Sequence, residues 1–97
     1  MYRRNFPRTK ERHTPLVQMC KVFEEANEAE EELEALRMAV ASGKPTSNGA
    51  LLMELLDIVH AVETMIDDMK ATQEQVATAY KAVLAKNMAR GYYEERR

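Results

Sequence analysis

Acidic side chains at helical spacing are the groups in this sequence that are best suited to chemistry. The segment 23–36, FEEANEAEEELEAL, is rich in glutamate, and Glu25 and Glu28 within it are three residues apart. A second pair with the same spacing, Glu54 and Asp57, interrupts an apolar stretch further along the chain. Residues three apart on a helix project from the same face, about one turn apart. Each pair therefore presents two carboxylates on one side of a helix.

If the two pairs face each other, their carboxylates need a partner. Two carboxylates about 4 Å apart repel by about 4 kcal/mol at an effective dielectric near 20, and four are worse. They must be protonated, paired with cations or bound to a metal. A hard divalent cation such as Mg²⁺ takes oxygen ligands, and it can hold phosphate oxygens or lower the pKa of a bound water. The other glutamates of the segment are interpreted as a solvated face: Glu30, Glu31, Glu32 and Glu34.

Helices must position these pairs. The apolar spacing predicts three of them, over residues 14–41, 48–70 and 72–90. Thr14 is the expected N-cap of the first helix, with Pro15 at its first position. The glycine- and proline-containing segment 42–49 is a loop, and Gly91 suits the end of the last helix. No strand pattern is present, so we expect an all-α fold, a helical bundle.

The second predicted helix is apolar on more than one face. Its apolar side chains are Leu51, Leu52, Leu55, Leu56, Ile58, Val59, Val62, Met65, Ile66 and Met69. Such a helix is buried on several sides, and a chain of 97 residues is too small to do this easily alone. We expect a helical domain, 14–93, that oligomerisation completes. A basic N-terminal arm, 1–13, precedes it, and a charged tail, 94–97, follows.

Composition argues against several classes of protein. The net charge of −2 gives no global attraction to nucleic acid or to acidic lipid. The only cysteine, Cys20, cannot form a disulfide within the chain, and we expect it to pack as a small hydrophobic residue. No apolar run could span a membrane, and no secretory signal follows the basic start. We expect a cytoplasmic protein whose arm, with Arg3, Arg4 and Arg8, is flexible.

The two acidic motifs together resemble a known enzyme family. The segments EEANE at 24–28 and ELLD at 54–57 are similar to the E-E-x-x-E and E-x-x-D motifs of the MazG-like all-α nucleoside triphosphate pyrophosphohydrolases, relatives of the dimeric dUTPases and phosphoribosyl-ATP pyrophosphatases. KNMARGYY at 86–93 looks like the basic tail of small phage or prophage members. The resemblance covers roughly residues 16–93. It departs from the family at Asn27, where many relatives have glycine.

The resemblance implies a dimeric or tetrameric helical protein with an NTP or dNTP as substrate and no nucleic-acid polymer or membrane as partner. The products would be the monophosphate and pyrophosphate. It implies Mg²⁺, or Mn²⁺ in its place, with these ligands: Glu25, Glu28, Glu54 and Asp57. Glu24 would support the site or activate water. His60 has no assigned family role, and we expect it to be a hydrogen-bonded core residue.

Phosphate groups need cations as well as a metal. Lys86 and Arg90 are four residues apart on one face of the third predicted helix, with Asn87 beside them. They are candidate phosphate ligands, or else surface charges that the helix dipole favours near a C-terminus. Tyr92 is a candidate for stacking on a base, although it and Tyr93 would equally suit packing on a partner subunit.

An alternative belongs to a different class: a non-catalytic helical assembly protein, such as a phage-encoded adaptor, that binds a basic partner. In an enzyme the four acids would meet at one point, whereas in an adaptor Glu25 and Glu28 would face solvent. A third alternative is a degenerate family member that binds nucleotide without turnover.

Overall fold

The chain forms three helices, and the computed structural model describes residues 2–94. The helices are α1, Pro15–Ala41; α2, Gly49–Asp68; and α3, Gln73–Ala89. No strand occurs within residues 2–94, which confirms the all-α class. In the same range, no helix combines the length and the apolar character needed to cross a bilayer.

Local side-chain chemistry explains where α1 and α3 begin. The Thr14 side chain accepts a hydrogen bond from the Val17 amide at 3.3 Å, which caps α1 as predicted. Thr72 caps α3, because its hydroxyl accepts from the Gln75 amide at 3.1 Å. The Gln75 side chain returns the bond, accepting from the Thr72 amide at 2.9 Å. These bonds satisfy amide groups that the first helical turn leaves without partners.

All three helices end in the same motif, in which one residue adopts the left-handed backbone conformation. Gly43 and Gly91 hold this position after α1 and α3, each with φ of 70°, and the prediction for Gly91 is confirmed. Lys70 holds it after α2 with φ of 57°. The amide of the next residue, Ala71, then donates to the Ile66 carbonyl oxygen at 3.4 Å. Unlike glycine, lysine carries a Cβ that makes this conformation unfavourable.

Helices α1 and α2 form an antiparallel hairpin. Gln18 near the start of α1 donates to the Ala61 carbonyl oxygen near the end of α2 at 3.1 Å. Further along α1, Glu25 lies close to Glu54, nearer the start of α2. The buried apolar residues of this seam are small, Ala29 and Ala61. The fully buried part of the seam therefore consists of polar groups and small side chains.

Helix α3 packs on neither helix of the hairpin. No Cα atom of α3 lies within 8 Å of one in α1 or α2, and α3 contains no buried residue. The chain measures 49 × 43 × 20 Å with a radius of gyration of 16.8 Å, whereas a compact domain of this length has about 12.5 Å. A single chain is therefore open.

The open shape leaves large apolar side chains exposed. On α2 these are Leu52, Met53, Leu55, Leu56 and Val62, and Met69 directly follows the helix. Contiguous apolar surface of this kind marks a site of interaction in soluble proteins. Cys20 on α1 is also exposed, so the prediction that it packs as a buried hydrophobic residue is wrong for the single chain.

The N-terminal arm lies along α2 and also reaches α3. Arg4 donates two hydrogen bonds to the Asp67 carboxylate, each at 2.8 Å, and Arg8 forms an ion pair with it at 3.3 Å. The ring of Tyr2 lies 6.0 Å from that of Tyr80 on α3. The structure thus places Arg4 and Arg8 against a carboxylate of α2, and the flexibility of the arm stays a prediction.

Candidate metal centre

Three carboxylates from the two hairpin helices converge. Glu25 of α1 and Glu54 and Asp57 of α2 each offer one oxygen, and these oxygens all lie within 4.8 Å of one another. The antiparallel pairing of α1 and α2 brings the helices together here, and the spacing of three in α2 puts both of its acids on the same face. These three residues are called the acid cluster.

The acid cluster contains buried oxygens without partners. Glu25 is 8 % exposed. Its Oε2 atom and the Oε2 atom of Glu54 are buried and accept no hydrogen bond. A buried carboxylate oxygen that lacks a partner is costly, and adjacent negative charges add to the cost. A hard divalent cation fits this donor set, since it prefers carboxylate oxygens and its remaining positions can take water or phosphate.

Glu28 lies at the exposed edge of the acid cluster. The negative charge of Glu25 raises the pKa of Glu28, and partial desolvation, a hydrogen bond with Glu25 and the charge of Glu54 act in the same direction. The structure therefore brings all four predicted ligands into one electrostatic neighbourhood. The three residues of the acid cluster have oxygens close enough for a shared ion, and Glu28 is beside them.

A lysine of α1 is the counter-ion nearest to the acid cluster. The Lys21 ammonium lies 3.2 Å from Oε1 of Glu25 and 3.6 Å from Oε2 of Glu24. These contacts raise the pKa of Lys21, with the Glu25 hydrogen bond as the largest cause. Glu24 itself is exposed and faces Lys21, outside the acid cluster. One ammonium group cannot balance the carboxylates that meet here.

A groove of about 570 Å³ runs beside the acid cluster. It is lined by residues of α1 and α2, among them Glu25, Asp57 and Lys21, and by the arm segment 9–13. His60 also lines it, with its ring centroid 4.9 Å from that of Phe6. The groove is open enough to admit a polar ligand to the acid cluster.

The predicted substrate-binding residues of α3 are not brought to the acid cluster within one chain. No Cα atom of α3 lies within 8 Å of one in α1 or α2, and the groove is lined by no residue of α3. Asn87 donates instead to the Tyr93 hydroxyl at 3.2 Å, and the Arg90 guanidinium lies 5.9 Å from the centre of the Tyr92 ring. Lys86 is exposed near the end of α3. Their role in binding substrate stays a prediction.

Sequence reasoning missed the arm segment of the groove and the carboxylate that holds the arm in place. Glu63 of α2 is almost fully buried, and it accepts hydrogen bonds from Asn5 and Phe6 of the arm. The available signal was the charge pattern, because Glu63 and Asp67 are four residues apart on α2 while the arm is basic. That pattern favours contact but does not say which groups meet.

The chain matches no protein-family model, no curated protein and no solved structure. Membership of the MazG-like family is therefore a proposal, supported by the two acidic motifs and by the acid cluster. The charge and burial of the cluster are independent of that resemblance. They make a divalent cation a candidate ligand of this site.

Proposed function

We propose that the protein is a Mg²⁺-dependent nucleoside triphosphate pyrophosphohydrolase of the MazG-like type. It would cleave an NTP or dNTP to the monophosphate and pyrophosphate. The observation that carries this proposal is the acid cluster, in which Glu25, Glu54 and Asp57 from two helices offer oxygens within 4.8 Å of one another. Two buried oxygens in this cluster lack a partner, and a metal would supply one.

The chain's own carboxylates have distinct tasks in the proposed reaction. Mg²⁺, when bound, would hold phosphate oxygens and lower the pKa of a water molecule. The acid cluster is the ligand set, with Glu28 as the fourth carboxylate at its edge. The water oxygen forms a bond to the α-phosphorus while the bond from the α-phosphorus to the α,β-bridging oxygen breaks. That oxygen keeps the electron pair and leaves with pyrophosphate, and we assign the water proton to Glu28.

We further propose that the active protein is a homodimer or homotetramer. A single chain exposes the apolar face of α2 and leaves α3 apart from the hairpin. Contact with a second copy would bury that face, and it would offer Lys86, Asn87 and Arg90 a route to the groove of a neighbouring chain. Analytical ultracentrifugation tests this proposal. The Leu52→Glu variant should dissociate, whereas Thr78→Glu, on exposed α3 surface, should not, and a monomeric wild type would contradict it.

The adaptor alternative receives less support from the geometry. It requires Glu25 and Glu28 to face solvent, where a basic partner could reach both. Glu28 is exposed, but Glu25 is 8 % exposed and faces two acids of α2. A basic partner would reach Glu25 only through the groove, so the cluster suits a small cation better than a protein surface.

The proposed function is tested by turnover and by metal binding in parallel. A panel of ribo- and deoxynucleoside triphosphates is incubated with Mg²⁺, and the products are separated by chromatography. Mn²⁺ binding is followed by electron paramagnetic resonance, since free Mn²⁺ gives the stronger signal. We expect the wild type to bind Mn²⁺ and to release monophosphate and pyrophosphate from at least one triphosphate.

A charge-matched pair of variants provides the control. Glu54→Gln with Asp57→Asn removes two ligands and should abolish both Mn²⁺ binding and turnover. Glu30→Gln with Glu31→Gln removes the same charge from exposed positions of α1 and should preserve both. A wild type that binds no divalent ion and cleaves no triphosphate would sink the proposal in favour of the adaptor.

A further inference from the structure

The N-terminal arm forms part of the wall of the groove that runs beside the acid cluster. The arm residues that line it are Thr9, Lys10, Glu11 and His13. They border the same space as Glu25 and Asp57. A ligand bound to the acid cluster through this groove would therefore come close to the arm.

A buried carboxylate fixes the course of the arm. Glu63 is 2 % exposed. Its oxygens accept hydrogen bonds from the Asn5 amide at 2.7 Å, the Phe6 amide at 3.0 Å and the Tyr2 hydroxyl. Burial alone would raise the pKa of Glu63, but these hydrogen bonds outweigh it and the pKa is lowered. The two backbone amides and the buried carboxylate are hydrogen-bonded to one another, so separating them would leave each group without a partner.

Further contacts hold the arm on both sides of Lys10. Before it, Arg4 and Arg8 are bound to Asp67 of α2. After it, the His13 amide donates to Oδ1 of Asp68 at 3.3 Å. The segment between these anchors is short, so it remains against the hairpin.

The arm's basic residues differ in whether their charge is paired with a carboxylate. Arg4 and Arg8 share the single carboxylate of Asp67, and Arg12 donates to the Thr9 carbonyl oxygen at 2.6 Å. Lys10 lines the groove and forms no ion pair within residues 2–94. Lys21, the other lysine of the groove, is held by Glu25 and Glu24. Of the two lysines that line the groove, Lys10 is thus the one without an ion pair among the described residues.

We propose that the N-terminal arm is a fixed part of the substrate site and that Lys10 binds non-bridging phosphate oxygens of the triphosphate. This inference rests on the proposed function, because it places the metal-binding end of the substrate at the acid cluster. Lysine suits the task, as a point charge with three donors. Glu63 acts as a positioning residue, since it touches no phosphate and holds the arm that carries Lys10.

The first test compares Lys10→Met with Lys81→Met, which removes an equal charge from exposed α3 surface. Mn²⁺ binding is measured alone by electron paramagnetic resonance, and binding of inorganic tripolyphosphate to the Mn²⁺-loaded protein is measured by calorimetry. Lys10→Met should leave Mn²⁺ affinity unchanged and weaken tripolyphosphate binding by about tenfold or more, the value of one charge-assisted hydrogen bond. Lys81→Met should change neither.

The second test uses Glu63→Gln, which keeps the shape of the side chain and weakens its hold on the arm. Hydrogen exchange at the Asn5 and Phe6 amides should accelerate, while helix content and Mn²⁺ affinity stay as in the wild type. Tripolyphosphate affinity should fall, and adding Lys10→Met should lower it little further, because both changes remove the same contact. Full additivity would contradict the positioning role.

The outcomes separate the inference from the proposed function. A wild type that binds Mn²⁺ and tripolyphosphate, with an equal affinity in Lys10→Met, overturns the inference and leaves the proposed function standing. A wild type that binds no Mn²⁺ overturns both.

Discussion

Gln18 of α1 and Ala61 of α2 are joined by a hydrogen bond of 3.1 Å that closes the hairpin beside the groove. Gln18 is almost fully buried, and its Oε1 atom lies 3.3 Å from Nδ1 of His13. One side chain therefore links α1, α2 and the arm. Because the Gln18 amide is uncharged, it adds no negative charge to the groove that runs beside the acid cluster.

Replacing Gln18 with leucine should destabilise the protein by about 1–3 kcal/mol, because it removes buried hydrogen bonds while keeping similar volume. Urea unfolding followed by circular dichroism at 222 nm measures the change in the free energy of unfolding. Asn27→Ala, at an exposed position of the same helix, should stay within about 0.5 kcal/mol of the wild type. Equal effects of the two substitutions would show that the Gln18 bond does not stabilise the hairpin.

Glu54→Gln should have opposite effects on stability with and without metal. Without metal, the free energy of unfolding should rise, because an uncompensated negative charge leaves the acid cluster. With millimolar Mg²⁺, the wild type should gain stability by mass action and the variant should gain less. Urea midpoints in EDTA and in Mg²⁺ measure both. A variant that is less stable than the wild type in EDTA would argue against repulsion in the cluster.

Asp67 should make stability depend on acid pH. Hydrogen bonds from Arg4, opposed in part by burial and aided by the charges of Arg4, Arg8 and Arg12, lower its pKa. As the pH falls, Asp67 is therefore protonated in the unfolded state before it is protonated in the folded state. Its stabilising contribution is present above about pH 4 and is lost as the pH falls through the lower folded pKa. Asp67→Asn should therefore be less stable than the wild type at pH 7.

The difference between the wild type and Asp67→Asn should narrow as the pH approaches 3, in unfolding curves recorded at several pH values. Glu74→Gln, at an exposed position in the first turn of α3, provides a control with the same loss of charge. If the difference in free energy of unfolding between the wild type and Asp67→Asn stayed constant from pH 7 to pH 3, the ion pair with Arg4 would not be its cause.

Lys70→Gly should stabilise the end of α2. Lys70 has φ of 57°, a conformation that costs a non-glycine residue roughly 1 kcal/mol. Glycine removes that cost, and part of the gain is offset by the greater freedom of glycine in the unfolded chain. The midpoint of thermal unfolding should rise for Lys70→Gly and fall for Lys81→Gly within α3, where glycine disfavours a helix. If the midpoint fell for both variants, the left-handed conformation of Lys70 would not be destabilising the end of α2.

The helix ends and the shared face of the α2 acids could be predicted from the sequence, because both depend on residues that are close together in the chain. Thr14 and Gly91 cap helices through neighbours in the chain. Glu54 and Asp57 share a face through the helical repeat, and their position in an apolar helix indicated that they face another element. Glu25 lies in a glutamate-rich helix, and the family resemblance rather than its surroundings singled it out.

The position of the arm and of α3 was not accessible, because it depends on which surfaces meet. The basic composition of the arm predicted flexibility, but the buried Glu63 accepts hydrogen bonds from two of its backbone amides. Because nearly every residue has such an amide, the residue types do not show which ones bind a carboxylate. The apolar spacing predicted the third helix but not what it would pack against. Cys20 lies on α1 surface that the single chain leaves open.

The bonds that hold the arm on Glu63 join residues 57 to 61 positions apart, and this has a consequence for biosynthesis. At about 5–20 residues per second, Tyr2 and Phe6 are synthesised roughly 3–12 s before Glu63. The arm cannot take its bound position until α2 has been made. The groove is therefore completed late on the path to the native protein, and a stalled or truncated nascent chain that lacks α2 would carry α1 and the arm without any site between them.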